Sequence, residues 1–306
     1  MLNKLKNYTI LVPIYQNENN IKPLEKKLKY FIDRGIKILF IDDGSYDRSI
    51  EKLVELKKKH NKQISIISLN RNYGQYKVIN FGLKKIKTEY TIILSCDLQD
   101  DVRLINKMIN ASKKNDLIVS ERHIRNDGLL NKFFGKLYWG MIKRISINDF
   151  PQGGFDFCCL NNGIRKKIIN TSDNSLNIFV DLFLVSKNPK ILKGTRTLRE
   201  IGSSKWSLKK KIEMTLSSFI IYSNIGSFLG LAISLTSILI SFGLGVYFLS
   251  KYFFFGTNVP GFYSLILTIL FFGSISLFMQ CLNNYAIQYL IDKSSIINNI
   301  IEKKKY

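Results

Sequence analysis

Two stretches near the C-terminus decide what this chain can fold into. No Asp, Glu, Lys or Arg occurs in residues 214–250, and after Lys251 none occurs in residues 252–291. Crossing the hydrocarbon of a bilayer takes roughly 20 mainly apolar residues, so each stretch can span it with residues to spare. The layout therefore predicts a hydrophilic portion over residues 1–212, a two-span hairpin over 217–292 and a short basic tail over 293–306. Lys209, Lys210 and Lys211 precede the first span, Lys303, Lys304 and Lys305 follow the second, and the connection between them holds Lys251 alone. Positive charge collects on the cytoplasmic side, which puts both flanks inside and the connection outside.

The formal net charge is +23, and nearly all of it falls on residues 1–212. A basic domain joined to membrane spans suits anionic lipids, anionic substrates or both. Part of the excess follows from a composition crowded with Ile, Lys and Asn. Nucleic acid is not expected as a partner, because the basic residues are scattered through helical patterns and no nucleic-acid-binding motif occurs. Aromatic residues make up 12% of the chain, which excludes a disordered protein. The cysteines, Cys96, Cys158, Cys159 and Cys281, form no CxxC pair, and the histidines are His60 and His123. That excludes a zinc site or redox dithiol and fits a reducing cytosol. The N-terminal apolar stretch contains Lys4 and Lys6 and runs into a strand pattern at Pro13, so no signal peptide is expected.

Residues 8–94 alternate between short apolar runs and segments of helical period. Strands are expected at 8–14, 36–41, 64–69, 90–94 and 117–119, with a further one at 153–160. Helices are expected around Ile21, Leu24, Leu28 and Phe31, around Ile50, Leu53 and Val54, and over 75–87. This alternation predicts an α/β domain with a parallel, doubly wound sheet. Ligands of such sheets bind beyond the carboxyl ends of the strands. The polar clusters at 15–18, 42–43, 71–72, 97–99 and 121–122 should therefore line one crevice. Two further segments, 128–147 and 205–216, mix bulky apolar residues with Lys and Arg. Both suit helices lying in a membrane interface; packing on the sheet is an equal alternative for the first.

Asp42 with Asp43, and Asp97 with Gln99, each close a buried strand. Buried acid needs a partner. A hard divalent cation such as Mg²⁺ takes one or two carboxylates together with phosphate oxygens and water, and it neutralises a diphosphate leaving group. Neither a GxGxxG nor a GxxxxGK[ST] pattern occurs, so dinucleotide and P-loop readings fail.

Six segments in order, VPIYQNE at 12–18, FIDDGSYD at 40–47, NRNYGQ at 70–75, SCDLQDD at 95–101, GGFDF at 153–157 and GSSKW at 202–206, resemble the family 2 inverting glycosyltransferases of the polyprenyl-phosphate class. The resemblance covers essentially the whole chain, the two C-terminal spans included. It implies a Rossmann-like GT-A domain with a mostly parallel sheet, followed by interfacial helices and the transmembrane hairpin. It implies Mg²⁺ or Mn²⁺ as cofactor, a nucleotide-diphosphate sugar as donor and a polyprenyl phosphate, undecaprenyl phosphate in bacteria, as acceptor. By position, Pro13, Tyr15, Glu18, Asp42 and Asp43 would hold the nucleoside. Asp97 and Gln99 fall on the metal motif, whose first acid is Ser95 here, leaving one charge fewer. Arg122 would face phosphate, and Gln75 with Tyr73 would reach the donor. Asp156 falls on the proposed catalytic Asp, with a turn-capping role as its alternative. Arg199 and Lys205, beside Trp206, lie where a lipid phosphate would present itself.

The expectation is thus an enzyme in the bacterial inner membrane, its catalytic domain facing the cytoplasm, that transfers a sugar with inversion. Two rivals differ in what they require. A processive polysaccharide synthase on the same fold needs a QxxRW-type motif and more spans. A non-catalytic membrane scaffold needs no metal-dependent nucleotide-sugar binding. Aromatic surface near the spans suits a homo-oligomer.

Overall fold

A computed structural model describes residues 5–121, 150–151, 154–171, 177–194 and 302–305, with single helical positions between Thr236 and Ile287. The expected interfacial helices at 128–147 and 205–216, most of both charge-free stretches, and Arg122, Arg199, Lys205 and Trp206 lie outside the described residues. The chain divides into two compact units. One joins Met1–Lys211 to Lys293–Tyr306, and the other is Ile212–Asp292.

The first unit is built on an eight-stranded sheet among the described residues. In chain order its elements are β1 (Tyr8–Ile14), α1 (Glu18–Ile32), β2 (Lys37–Asp42), α2 (Ser49–Lys59), β3 (Ile64–Leu69), α3 (Gln75–Lys85), β4 (Tyr90–Ile93), α4 (Leu104–Ala111), β5 (Leu117–Glu121), β6 (Cys158–Asn161), α5 (Asn162–Thr171), α6 (Ile178–Val185), β7 (Pro189–Lys193) and β8 (Glu302–Lys305). The strands lie in the order β7-β5-β6-β4-β1-β2-β3-β8. β1 pairs in parallel with β2 on one side and β4 on the other, and β2 with β3. β6 runs antiparallel between β4 and β5, and β7 is parallel to β5.

The apolar runs form strands because helices cover both faces of the parallel part, which leaves no polar side to alternate with. Ile10, Leu11, Val12, Ile38, Phe40, Ile41, Ile66 and Ile92 are buried on successive positions rather than every second one. α1 presents Ile21, Leu24, Leu28 and Phe31 to this core and Lys22, Lys26 and Lys29 to solvent. α3 packs tightly on the sheet at Gly82, where a β-carbon would lie 2.5 Å from Leu11 Cδ1 and 2.7 Å from Ile41 Cδ1.

The first five strands fall at or within a few residues of their expected positions. The segment expected at 153–160 begins instead at Cys158 and inserts between β4 and β5. The structure adds α4, α5, α6, β7 and β8. The basic tail is no free appendage: Glu302–Lys305 pairs antiparallel with β3, setting Lys304 opposite Ser68 and Lys305 opposite Ile67.

In the second unit every described position is helical, and Val246, Tyr247, Phe253, Phe254, Leu265, Ile269 and Ile287 are exposed. Among the described residues no helix is long and apolar enough to cross a membrane.

Candidate active site

One edge of the sheet gathers the carboxyl ends of β1 to β5 and β7 with the amino end of the reversed β6. The order switches direction at β1, whose neighbours are β2 and β4, and such a switch opens a crevice for a ligand. Tyr15, Asp42, Asp43, Ser95, Asp97, Gln99 and Asp156 all lie at this edge. Continuing the register of Ile93 with Cys158 by two residues brings Asp156 level with Ser95, one strand over from the DLQ segment.

The loops after β1 and β2 are stitched to one another. Ser45 Oγ accepts from Gln16 N at 2.8 Å, Ser49 Oγ from Asn17 N at 2.9 Å and Asp47 Oδ2 from Glu18 N at 3.2 Å. In return the Glu18 carboxylate accepts from Arg48 N at 3.1 Å. Glu18 thus holds the neighbouring loop as well as standing at the crevice.

Asp42 and Asp43 are both buried but differently employed. Asp43 clamps the loop after β3, accepting from Tyr73 N at 2.7 Å on one oxygen and from Gly74 N at 2.9 Å on the other. Asp42 accepts from Ser45 N at 3.3 Å on each oxygen and from Ser68 Oγ at 3.0 Å. Burial pushes the Asp42 carboxyl above its ordinary range, the hydrogen bonds from Ser45 and Ser68 opposing it and the charge of Asp47 adding to it. Ser45 and Ser68 were not singled out by sequence. Ser68 lies 26 residues from Asp42, and only the β2–β3 register makes them neighbours.

The DLQ segment is a tight turn. Gln99 N donates to Asp97 Oδ1 at 3.2 Å, Gln99 is buried, and Leu98 between them has φ 62°. A left-handed backbone costs a residue with a β-carbon about 1–2 kcal/mol. Lys27 Nζ donates to the Leu98 carbonyl at 2.8 Å, and a hydrogen bond from a charged group contributes about 1.5–3 kcal/mol, enough to offset that strain. The other non-glycine residue with positive φ among those described is Gln16, at 51°, on the same edge. Backbone strain of this kind collects at functional sites.

Asp97 and Gln99, the residues the resemblance assigns to a cation, stand two apart in this turn. Among the described residues no group of three or more His, Cys, Asp and Glu could hold a metal ion. A cation held by this pair would draw its remaining ligands from diphosphate oxygens and water.

Asp156 is buried, on the short segment leading into β6. An aromatic cluster supports that segment. Phe155 meets Phe179 at 5.5 Å, Phe150 meets Phe183 at 4.9 Å, and Tyr76 meets Phe179 edge-on at 5.9 Å. α6 supplies Phe179 and Phe183 and is capped by Asn177, whose side chain accepts from Phe179 N. Beside it, burial raises the Cys158 and Cys159 thiols well above the ordinary range, with the neighbouring charge of Asp156 adding to the effect at Cys158. Both side chains are part of the buried core.

Residues 9–172 match the sequence profile described as Glycosyl transferase family 2. The chain is 29% identical over 264 residues to the undecaprenyl-phosphate 4-deoxy-4-formamido-L-arabinose transferase of Pectobacterium atrosepticum, covering 81% of this chain and 79% of that protein. It is 25% identical over 252 residues to the enzyme of the same name from Edwardsiella ictaluri, covering 78% of each. The fold resembles that of glucosyl-3-phosphoglycerate synthase from Mycobacterium tuberculosis, crystallised with Mn²⁺, UDP-glucose and phosphoglyceric acid. The TM-score is 0.50 at 10% identity, over 72% of this chain and 79% of the other. The first unit is thus a GT-A-type α/β domain with a mostly parallel sheet.

Proposed function

Because the chain belongs to glycosyl transferase family 2 and is a glycosyltransferase, we propose that it moves a sugar from a nucleotide diphosphate to a polyprenyl phosphate, inverting the anomeric carbon. The observation that carries this reading is the convergence of buried Asp42, Asp43 and Asp156 with the Asp97–Gln99 turn on one sheet edge. Support comes from relatives named for transfer to undecaprenyl phosphate, whose similarity runs over 264 residues, well past the end of the family profile at residue 172.

In this reading Pro13, Tyr15, Glu18, Asp42 and Asp43 bound the nucleoside site, with Gln75, Ser95 and Arg122 completing the donor side. Asp97 and Gln99 would hold Mg²⁺ or Mn²⁺ against the diphosphate; that charge eases departure of the nucleotide. An acceptor phosphate oxygen attacks the anomeric carbon from the face opposite the diphosphate, and the bond from that carbon to the diphosphate oxygen breaks. The second pKa of a phosphomonoester is about 6, so the nucleophile is already anionic near neutral pH and no proton need be removed. Asp156 then serves to direct the acceptor and to offset positive charge developing on the sugar. Arg199 and Lys205 would receive the lipid phosphate.

The domain boundaries follow: a catalytic portion over 1–212, a hairpin over 217–292 anchoring it at the cytoplasmic face of a bacterial inner membrane, and a tail over 293–306. Exposed Phe253, Phe254, Leu265 and Ile269 suit lipid contact.

The test is incubation of purified protein with undecaprenyl phosphate and a panel of UDP- and GDP-sugars, followed by mass spectrometry of the lipid. One glycosyl unit on the phosphate, formed in Mn²⁺ and not in EDTA, is the expected product. Long glycan chains would identify a processive synthase, and no product with any donor would favour a scaffold.

A further inference from the structure

We infer that Lys27 is a positioning residue for the Asp97–Gln99 turn: by holding the Leu98 carbonyl, its ammonium fixes the left-handed backbone on which the spacing of the two oxygen donors depends. The inference rests on the reading of that turn as the metal and diphosphate site.

Three observations carry it. Lys27 reaches across 71 residues of sequence to Leu98 O at 2.8 Å, whereas Lys22, Lys26 and Lys29 on the same helix are exposed. The ammonium comes from a fixed support. Leu24 and Leu28 on either side of it are buried, and the start of α1 is stitched to the next loop through Asn17 and Glu18. The acceptor is the carbonyl of the one residue in the turn whose backbone is left-handed, at φ 62°. Leu98 carries a β-carbon, so unlike glycine it does not favour this conformation on its own. If the carbonyl lost its donor, φ would relax toward negative values, and Asp97 and Gln99 would turn relative to one another. Lys27 touches no reacting atom in this scheme; it acts through the backbone of Leu98.

The full-length chain, purified in detergent as Lys27→Met and Lys27→Arg, provides the test. Mn²⁺ binding is titrated by electron paramagnetic resonance in the presence of UDP and, separately, GDP. Urea midpoints are measured without metal, and rates as a function of Mn²⁺. Loss of one charge-assisted hydrogen bond predicts Mn²⁺ binding roughly ten-fold weaker in Lys27→Met. The Mn²⁺ concentration for half-maximal rate should rise by the same factor, with kcat at saturating Mn²⁺ nearly kept and the urea midpoint lowered by no more than the loss of one hydrogen bond. Lys27→Arg should restore most of the affinity. Wild-type-like Mn²⁺ binding in Lys27→Met, or a Lys27→Arg variant that regains its urea midpoint but binds Mn²⁺ as weakly as Lys27→Met, overturns the positioning role while leaving the functional reading standing. A wild-type protein that binds no Mn²⁺ with either nucleotide overturns the reading of the site, and this inference with it.

Discussion

Gly44 and Arg71 meet backbone to backbone. A β-carbon on Gly44 would lie 2.5 Å from the Arg71 carbonyl carbon, and Gly44 itself has φ 66°. The loops after β2 and β3 therefore form one body, with Asp43 next door clamping Tyr73 and Gly74. Gly44→Ala meets both obstacles at once. Left-handed strain alone is worth about 1–3 kcal/mol, and the clash must in addition displace the 70–74 loop. A lower urea midpoint together with weaker nucleotide binding by calorimetry is expected. An unchanged midpoint would show that the two loops move apart freely.

Asp42 links stability to pH. Burial raises its carboxyl in the folded protein, so the folded state holds this proton more firmly than the unfolded chain does. The stability contributed by that proton is complete below the ordinary carboxylate range and is lost as pH rises through the folded value. Asn fits the same contacts, its oxygen accepting from Ser45 N and its amide donating to Ser68 Oγ. Relative to wild type, Asp42→Asn should therefore gain stability between pH 4 and pH 7 while nucleotide binding falls. Thermal melts across that range, with calorimetry at pH 7, check both halves.

Asp97→Asn removes the one charged oxygen donor of the DLQ turn and leaves the acceptance from Gln99 N available to the amide oxygen. Turnover should drop roughly 10²–10³-fold, the scale for losing one charge-stabilising group, with the circular dichroism spectrum unchanged. Full activity of this variant, or of wild type in excess EDTA, rules out the metal assignment.

Donor and acceptor sites are separable by mutation. If Lys205 receives the lipid phosphate, Lys205→Ala should lower acceptor efficiency about ten- to a hundred-fold through one lost charge-assisted hydrogen bond, with donor affinity in Mn²⁺ nearly unchanged. Loss of donor binding with acceptor use retained would reverse the two assignments.

Cysteine labelling reports the topology. A probe at Asn258 should react from outside intact cells. One at Lys304, paired opposite Ser68 in the sheet, should react only after the membrane is opened. External labelling at Lys304 would contradict a cytoplasmic catalytic domain.

The parallel core was legible because its strands are continuous runs of Ile, Leu and Val between helical periods. The acidic strand ends were legible because acid closing such a run is chemically costly. β7 and β8 were not, since PKILK and EKKK carry no apolar alternation and become strands only through a partner edge. Asp43 was legible as a buried acid after β2, but its clamp on Tyr73 and Gly74 was not. Nothing near Lys27 in sequence distinguishes it from the other lysines of α1. Its role depends on a contact with Leu98 that only the assembled sheet creates.

Pairing of β8 with β3 closes residues 212–292 into a loop whose two ends belong to one folded body. Any passage of that loop through a bilayer must be matched by a return, so its crossings come in even numbers whatever their individual lengths. A change of parity, by inserting or deleting one apolar segment, could not be absorbed locally. It would pull Glu302–Lys305 from the sheet and leave β3 with a bare row of N–H and C=O groups, the kind of open edge that recruits other chains.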